Sequence, residues 1–561
     1  MHKGTVLCLL LSIIPLAHAD SSGLPATVPG QATLFNFAPR DVLQGQDGLP
    51  PSPHAPLKYG APVLHLDVAG NAVEEHAASV AYFNDQYWMY AEKWGCGKLV
   101  MFSGSIPGKG GAEKLSPVKN AGQCGLAAYS SPDMTNWTFQ GLYQPEGIRG
   151  SAAKPHVLWS QPLKKYVMWF KAGDNFARTG GLYYALADSP AGPWSQPKIA
   201  TGPHLAHDFD ITISPEGKAY IVTDVFSGQF DKTSPGGHKP LWDLWIQALT
   251  PELTGTVAGS ATRILKAADF EAVGLFTHNG YWYITGGPTC GNCQVPIRYL
   301  YSSSVTSGWT NEQGETGDEL KMGSLLTQDG CTGQNKGADT LPSLSGPVIL
   351  SAIWGYRTGP ASYAPKGRVV HGDNSQAISS TYWFPVTFNA KHQIEKFTCP
   401  AQVNIPLNRA VSPPAPAPWQ PVCQIRQGSV VKQTLPSLSR YHGALTLSLF
   451  QRTDDEGPLK QNGVILNAPL NVDIRFTDGS EVRRRIPATG VAFTPQVQPF
   501  TLSDSKTVSD ITLSSEATNG CYGTVVAPAR SSMNRYSVLK KDGDQHHDGV
   551  RMYTGPDDRV P

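Results

Sequence analysis

The sequence predicts an all-β chain, a five-bladed β-propeller followed by a smaller C-terminal β-sandwich, and three observations carry that expectation. The 57 glycines and 46 prolines among 561 residues, with many short Tyr- and Trp-rich runs, fit turn-dense strand structure rather than helices. One strand–turn–strand pattern returns five times. A proline-rich break then separates those copies from a stretch of shorter alternating strands.

The copies are SVAYFNDQYWMYAE from Ser79, KPHVLWSQPLKKYVMWFKAG from Lys154, HDFDITISPEGKAYIVTD from His207, FEAVGLFTHNGYWYITGG from Phe270 and LPSLSGPVILSAIWGY from Leu341. In each, turn residues sit between period-2 apolar runs, as in a β-hairpin: Asn84-Asp85, Leu163-Lys164, Glu216-Gly217, Asn279-Gly280 and Ser345-Gly346. The starts lie roughly 50 to 75 residues apart, the span of a four-stranded blade with its loops. Second hairpins such as GGLYYALADSPAGPWSQP from Gly180 and RYLYSSSVTSGWTNEQ from Arg298 fill the intervals. Beyond STYWFPVTF the run Pro413-Pro414-Ala415-Pro416-Ala417-Pro418 reads as a stiff linker. GALTLSLFQR from Gly443, NVDIRFTDGSEVRRRI from Asn471 and TVSDITLSS from Thr507 then read as the sandwich.

The N-terminus has a basic start at Met1-His2-Lys3, a short apolar run to Leu16 and a small-x-small site at Ala17-His18-Ala19. That is the pattern of a secretory signal peptide, and the run is shorter than the about 20 residues needed to span a bilayer. The expected organisation is a signal peptide over 1–19, a lead-in over 20–60, the propeller over 61–398, a linker over 399–422, the sandwich over 423–530 and a polar tail over 531–561. A secreted or periplasmic product follows. With 45 basic and 44 acidic side chains, nothing argues for nucleic acid or for an anionic membrane as partner, and no membrane insertion is expected. Past the signal peptide lie Cys96, Cys124, Cys290, Cys293, Cys331, Cys399, Cys423 and Cys521, an even number that favours disulfides in an exported chain. Cys290 and Cys293 form a C-x-x-C pair without the second ligand pair of a zinc site. Asn136-Trp137-Thr138 fits a glycosylation sequon.

No G-x-S-x-G, G-x-x-x-x-G-K-[ST] or H-E-x-x-H motif is present. The placement of carboxylates is more telling. Asp208, in HDF, and Glu271, in DFEAVGLF, open the inner strands of successive copies. Inner strands of a propeller begin at one mouth of the channel, so the two acids are expected to converge there. Glycosidic cleavage needs that convergence, one carboxyl protonating the leaving oxygen while a second group activates water. Asp210 and Asp269 read as structural. Trp94 and Trp354 are candidates for stacking on a sugar face, whereas Trp383 and Trp169 sit mid-strand and read as core.

In order and spacing, KPHVLWSQPLKKYVMWFKAG, LYYALADSPAGPWS, HDFDITISPEGKAYIVTD and EAVGLFTHNGYWYITGG resemble glycoside hydrolase family 43, closest to its exo-β-1,3-galactanase-like branch. The resemblance spans roughly residues 70 to 390 and implies a five-bladed propeller, inversion at the anomeric carbon and no required cofactor. It places Glu271 as the general acid and Asp208 as the acid that orients it and keeps it protonated. The base aspartate usual in the first blade is missing, since His76 is followed by Ala77 and Ala78. The galactanase-like branch also lacks it and is thought to use a glutamine, matched here by Gln334; Glu92 matches a glutamate facing substrate. An arginine the branch carries before the second-blade proline, where it contacts the sugar, is Lys154 here, so the resemblance implies Lys154 as a substrate-binding residue.

The expected function is therefore hydrolysis of a neutral plant-type polysaccharide or oligosaccharide, galactan-type favoured. Two rivals stay open: a glycan-binding propeller that has lost its base, and a structural or adhesive surface protein. A structural calcium ion is compatible with either domain, although no D-x-D-x-D-G loop argues for one.

Overall fold

In a computed structural model the described residues are 28–36, 65, 67–68, 73, 75–94, 105–108, 111–114, 123–148, 151–173, 181–234, 239–289, 295–340, 348–354, 381–400, 402–411, 419–423, 430–433, 444–453, 460–461, 464–465, 470–486, 496–501, 506–515 and 520–529. Strands dominate them, as expected, and the order of the sheets is propeller-like. Five successive antiparallel sheets open with His76–Phe83, Ser151–Ser160, Phe209–Ile213, Glu271–His278 and Gly333–Thr340. The first four have four strands each in sequence order, and the fifth has three. These opening strands touch one another in cyclic order, the last meeting the first, and so form the inner layer.

Hairpin turns sit where the sequence placed them. Asn84 and Asp85 have φ of 52° and 58°, and Asn279 and Gly280 have 48° and 80°, the left-handed pair that a two-residue hairpin requires. The turn expected at Ser345-Gly346 lies outside the described residues.

Each gap between neighbouring sheets is filled by side chains from both. In Gln86–Trp94, Tyr87 and Met89 join one apolar cluster while Trp88 and Tyr90 join the next. In Lys165–Gly173, Val167 and Trp169 face the third sheet, whereas Met168 and Phe170 face the first. A strand buried on both faces has no polar side, which is why these segments read as aromatic runs rather than as clean alternation. The cluster that closes the ring joins Tyr87 and Tyr129 of the first sheet to Phe276, Tyr283 and Tyr299 of the fourth and to Tyr382 and Phe384 of the fifth. Trp169 and Trp383, read as core, are buried, Trp383 in this cluster and Trp169 between the second and third sheets. Glu75 ties the ends of the ring, its Oε2 accepting from Thr381 N at 3.2 Å.

Two ranges differ from their sequence reading. Within the lead-in, Val28–Phe35 is a strand, and it pairs antiparallel with Gln402–Val411 inside the range read as linker. The pair forms because Ala32 and Leu34 on one side and Val403, Ile405 and Leu407 on the other bury against the closing cluster. The proline run at 413–418 lies outside the described residues. Cys399, placed at the start of that linker, is bonded to Cys331 at the head of the fifth sheet. Cys96, Cys290 and Cys293, the signal-peptide range 1–19 and the tail 531–561 are outside the described residues.

Further along, two four-stranded antiparallel sheets occur. One contains Ala444–Thr453, and the other contains Leu470–Phe476 and Val508–Ser515, the segments read as sandwich strands. Gly479, in the turn between Leu470–Phe476 and the paired strand Glu481–Ile486, has φ of 83°. No helix among the described residues is long and apolar enough to cross a membrane.

Candidate active site

The inner strands share a local device at their N-terminal ends. Ala77, Lys154, His207 and Ala272 have φ between 49° and 62°, and Gly337 has φ of 155°. Strand pairing skips there, between His76 and Ser79, Ala153 and His156, Glu271 and Gly274, and Asn335 and Gly337. Such bulges leave backbone groups outside the ladder and re-aim the adjoining side chains. Buried side chains from neighbouring sheets satisfy those freed groups, and they assemble the site in doing so.

Glu271 opens its strand with 3% of its surface exposed, and its Oε1 accepts from Gln334 Nε2 at 3.2 Å. Beside Gln334, Asn335 Nδ2 donates to Ala272 O at 2.5 Å. Asp208 is paired with two ammonium groups: Lys154 Nζ lies 3.0 Å from its Oδ2, and Lys171 Nζ contacts its Oδ1. The Lys154 contact is an ion pair without hydrogen-bond alignment. Burial pushes the Asp208 carboxyl up, but Lys154, Lys171 and His207 outweigh it and hold the group well below the usual carboxylate range. Glu92 Oε1 accepts from Lys154 N at 3.0 Å, and its Oε2 is 3.6 Å from His76 Nε2. Burial, followed by Lys171 and Lys154, lowers the His76 pKa to about 3, so that imidazole is neutral.

The structure thus brings Asp208, Glu271, Gln334, Glu92 and Lys154 to one end of the inner layer. Trp94 and Trp354 end their strands, and their side chains lie outside the described residues. Two details differ from the expected arrangement. The resemblance implies that the nearby charge of Asp208 keeps Glu271 protonated, yet that charge is shared with two lysines, because a carboxylate this buried needs counter-charge. Lys154 was expected at the sugar, yet only 4% of it is exposed and its ammonium is turned to Asp208.

Sequence reasoning missed three participants. Asp224, with φ-strained His207 bonded to it at 2.6 Å, accepts from the backbone N–H of Asp208 at 2.8 Å and of Ala272 at 3.0 Å. Lys171 is the third. Asp224 and Lys171 lie on second strands rather than strand starts; the available signal was a charge inside an otherwise apolar run, VTDVF and WFKAG. Burial lowers the His207 pKa, but Asp224 and Asp208 reverse this and leave it raised. His207, Asp208 and Asp224 offer ligand atoms within 4.8 Å of one another, a grouping able to hold a cation. Here both Asp224 oxygens accept from N–H groups, and Lys154 and Lys171 already supply positive charge at Asp208, so we assign no metal to it.

Asp210, read as structural, does tie strands together. Its Oδ2 accepts from Leu275 N at 2.9 Å and Ala338 N at 3.2 Å, joining the third, fourth and fifth inner strands. His156 Nε2 is 3.3 Å from its Oδ1. Asp269 also ties the fold, accepting from Thr289 N at 2.7 Å and pairing with Lys239 at 2.6 Å. Lys239 opens the return strand of a long hairpin, Ala219–Asp231 with Lys239–Ala248.

Residues 118–317, which include Asp208 and Glu271, match the family model of Glycosyl hydrolases family 43, so the resemblance read in the sequence is shown over that stretch. At the level of single proteins, an arabinoxylan arabinofuranohydrolase of Bacillus subtilis (strain 168) is 30% identical over 213 residues, 32% of this chain and 40% of that protein. The chain therefore spans about two fifths of the length of this curated relative. Similar solved structures include an exo-β-1,3-galactanase from Phanerochaete chrysosporium with galactose (TM-score 0.45, 15% identity, covering 83% of this chain and 99% of that one). Another is an exo-β-1,3-galactanase from Clostridium thermocellum (TM-score 0.43, 14% identity, covering 83% and 98%).

Proposed function

We propose that the chain is a secreted glycoside hydrolase whose five sheets are the blades of a propeller, followed by a β-sandwich, and that it cleaves a galactan-type glycan with inversion. The observation that carries the reading is the convergence of Glu271, Gln334 and Asp208, from three different inner strands, at one end of a closed ring. In this reading Glu271 protonates the leaving oxygen of a bond seated at the mouth. Gln334 holds Glu271 by its amide nitrogen, which leaves its amide oxygen to orient water. Water attacking from the opposite face needs an activating group about 6.5–9.5 Å from the acid. Gln334 must therefore release Glu271 when a sugar enters between them. Glu92 and Lys154 position the second inner strand, and the Trp94 and Trp354 side chains are assigned to sugar stacking.

Two observations favour the glycan-binding alternative. Gln334 is a neutral amide with little affinity for a proton, and here it is bonded to the acid itself. The lysines on Asp208 also offset the charge that would keep Glu271 protonated.

The deciding experiment is sugar release from β-1,3-galactan, arabinan, arabinoxylan and matching aryl glycosides, with Glu271→Gln beside the parent protein. Release that falls by about 10²–10⁴ in the variant, the usual contribution of a general acid, is the expected result. Binding to one glycan with no release from any would replace the hydrolase reading with the binding one.

A further inference from the structure

At the mouth, Asp224 takes no part in the proposed chemistry, yet it touches both strand starts that carry Asp208 and Glu271. Asp224 is 0% exposed, and both its oxygens are engaged. Oδ1 accepts from Asp208 N and from His207 Nδ1, while Oδ2 accepts from Ala272 N, the residue after Glu271. Its own N–H donates to Asp208 O at 3.1 Å. The two residues it pins beside the acids, His207 and Ala272, have φ of 62° and 58°. A left-handed backbone at a residue with a side chain is strained, and it persists only where its surroundings hold it. The His207 ring is held a second time, stacked on Trp242 at 4.0 Å between centroids and 14° between planes. Trp242 is fixed in turn by a 2.9 Å bond from its Nε1 to Thr289 Oγ1.

We infer that Asp224 is the positioning residue of the site, one carboxylate that sets Asp208 and Glu271 relative to each other by fixing their backbones. The inference rests on the proposed role of Glu271 as acid. An asparagine at 224 can accept at one atom only, because its amide nitrogen is a donor. Whichever way it turns, Asp208 N or Ala272 N faces a donor and loses its acceptor. The freed strand start lets its acid drift, and misplacement by about 1 Å costs on the order of 10² in rate.

A clamp on the acid makes a prediction that simple loss of stability does not. A leaving group that departs without a proton has no need of Glu271. Asp224→Asn is therefore assayed on unactivated β-1,3-galactan and on a 2,4-dinitrophenyl galactoside, with thermal unfolding followed in parallel. We expect kcat on the galactan to fall about 10²-fold and on the dinitrophenyl substrate less than 10-fold, with KM on both within about 3-fold of the parent. His207→Asn tolerates the left-handed backbone and removes the imidazole's bond to Asp224 together with its stacking on Trp242. It should show the same contrast at a smaller scale, and it decides the matter if Asp224→Asn does not fold. Equal losses on both substrates, or no loss, would overturn the clamp while leaving the glycosidase reading intact. A parent protein inactive on both substrates would sink that reading and the clamp with it.

Discussion

The layers between sheets and the ends of the inner strands are built by opposite means. Between sheets, contact is apolar and redundant: Trp88, Tyr90, Met168 and Phe170 share one cluster, and Val222, Ile246, Leu275 and Ile284 share another. At the inner ends, contact is polar and single-copy. Asp224, Asp210, Asn335 and Glu92 each reach across to a backbone group on a neighbouring strand. Apolar contact is non-directional, so it fixes which sheets stack without fixing individual atoms. A hydrogen bond to a backbone N–H fixes one atom within a few tenths of an ångström, and a buried group left unpaired costs about 1–3 kcal/mol. Stability should therefore reside mainly in the layers, and the geometry of the candidate site in the ties.

The largest effect should come from breaking a layer. Trp169 is fully buried between the second and third sheets, and its Nε1 donates to Leu253 O at 2.7 Å. Trp169→Ala removes the indole and leaves a cavity, for which about 3–5 kcal/mol is expected. Chemical denaturation would show the loss, while turnover per folded molecule should stay within about 3-fold of the parent. A large fall in turnover at unchanged folding would show that the layers also govern site geometry, and the division drawn above would fail.

A smaller cost in stability, with a larger one in rate, is expected from Gly337→Ala. A Cβ there would lie 2.7 Å from Asp210 Oδ2, and φ of 155° disfavours any side chain. The fifth inner strand must shift away from Asp210, three residues from Gln334. Loss of one tie with some overpacking suggests about 1–3 kcal/mol. Because Gln334 is carried on the shifted strand, kcat should fall at least 10-fold at temperatures where the variant is fully folded. Normal turnover would mean that Gln334 is positioned by something other than its strand.

This contrast also explains what the sequence disclosed. Repeated aromatic hairpins were visible because a strand buried on both faces must be apolar throughout, and because Asn84-Asp85 and Asn279-Gly280 are turn residues wherever they occur. Asp208 and Glu271 stood out because they open strands. Asp224 and Lys171 did not, since each reaches a partner on another sheet, Ala272 N 48 residues away for Asp224 and the Asp208 carboxylate 37 residues away for Lys171. The pairing of Val28–Phe35 with Gln402–Val411 was hidden for the same reason at longer range: a strand's partner is set by the closure of the ring rather than by local pattern. Alternation in VNIPL was present, but the prolines that follow drew the whole range into a linker reading.

The smallest expected effect lies among ties that carry charge along the axis. Asp339 is buried, which raises its carboxyl to about 6 against the opposing pull of Lys336 and a hydrogen bond from Val80 N–H. Asp210 beside it is raised to about 7, by burial first and then by Asp339, again against Lys336 and backbone N–H groups. Both folded values lie above the unfolded one near 3.9, so the folded state holds the protons more tightly. Their contribution to stability is complete below about pH 4 and is lost as pH rises through about 6 and then 7. For Asp339 alone a shift of about two units bounds the loss at roughly 3 kcal/mol, and relaxation in the folded state reduces it. Asp208, held low by its lysines, acts in the other direction but only in more acid solution, so the two windows separate. Between pH 5 and 7.5 these two carboxyls should therefore make a declining contribution to the unfolding free energy, opposed by the buried neutral His76 and His156, whose contribution rises up to about pH 6.5. Asp339→Asn, which keeps an acceptor for Val80 N–H and does not titrate, should flatten that decline by about 1–2 kcal/mol while leaving stability at pH 4.5 nearly unchanged. An unaltered slope in the variant would mean that Lys336 keeps Asp339 ionised throughout, and that the axis is held by a salt bridge rather than by a shared proton.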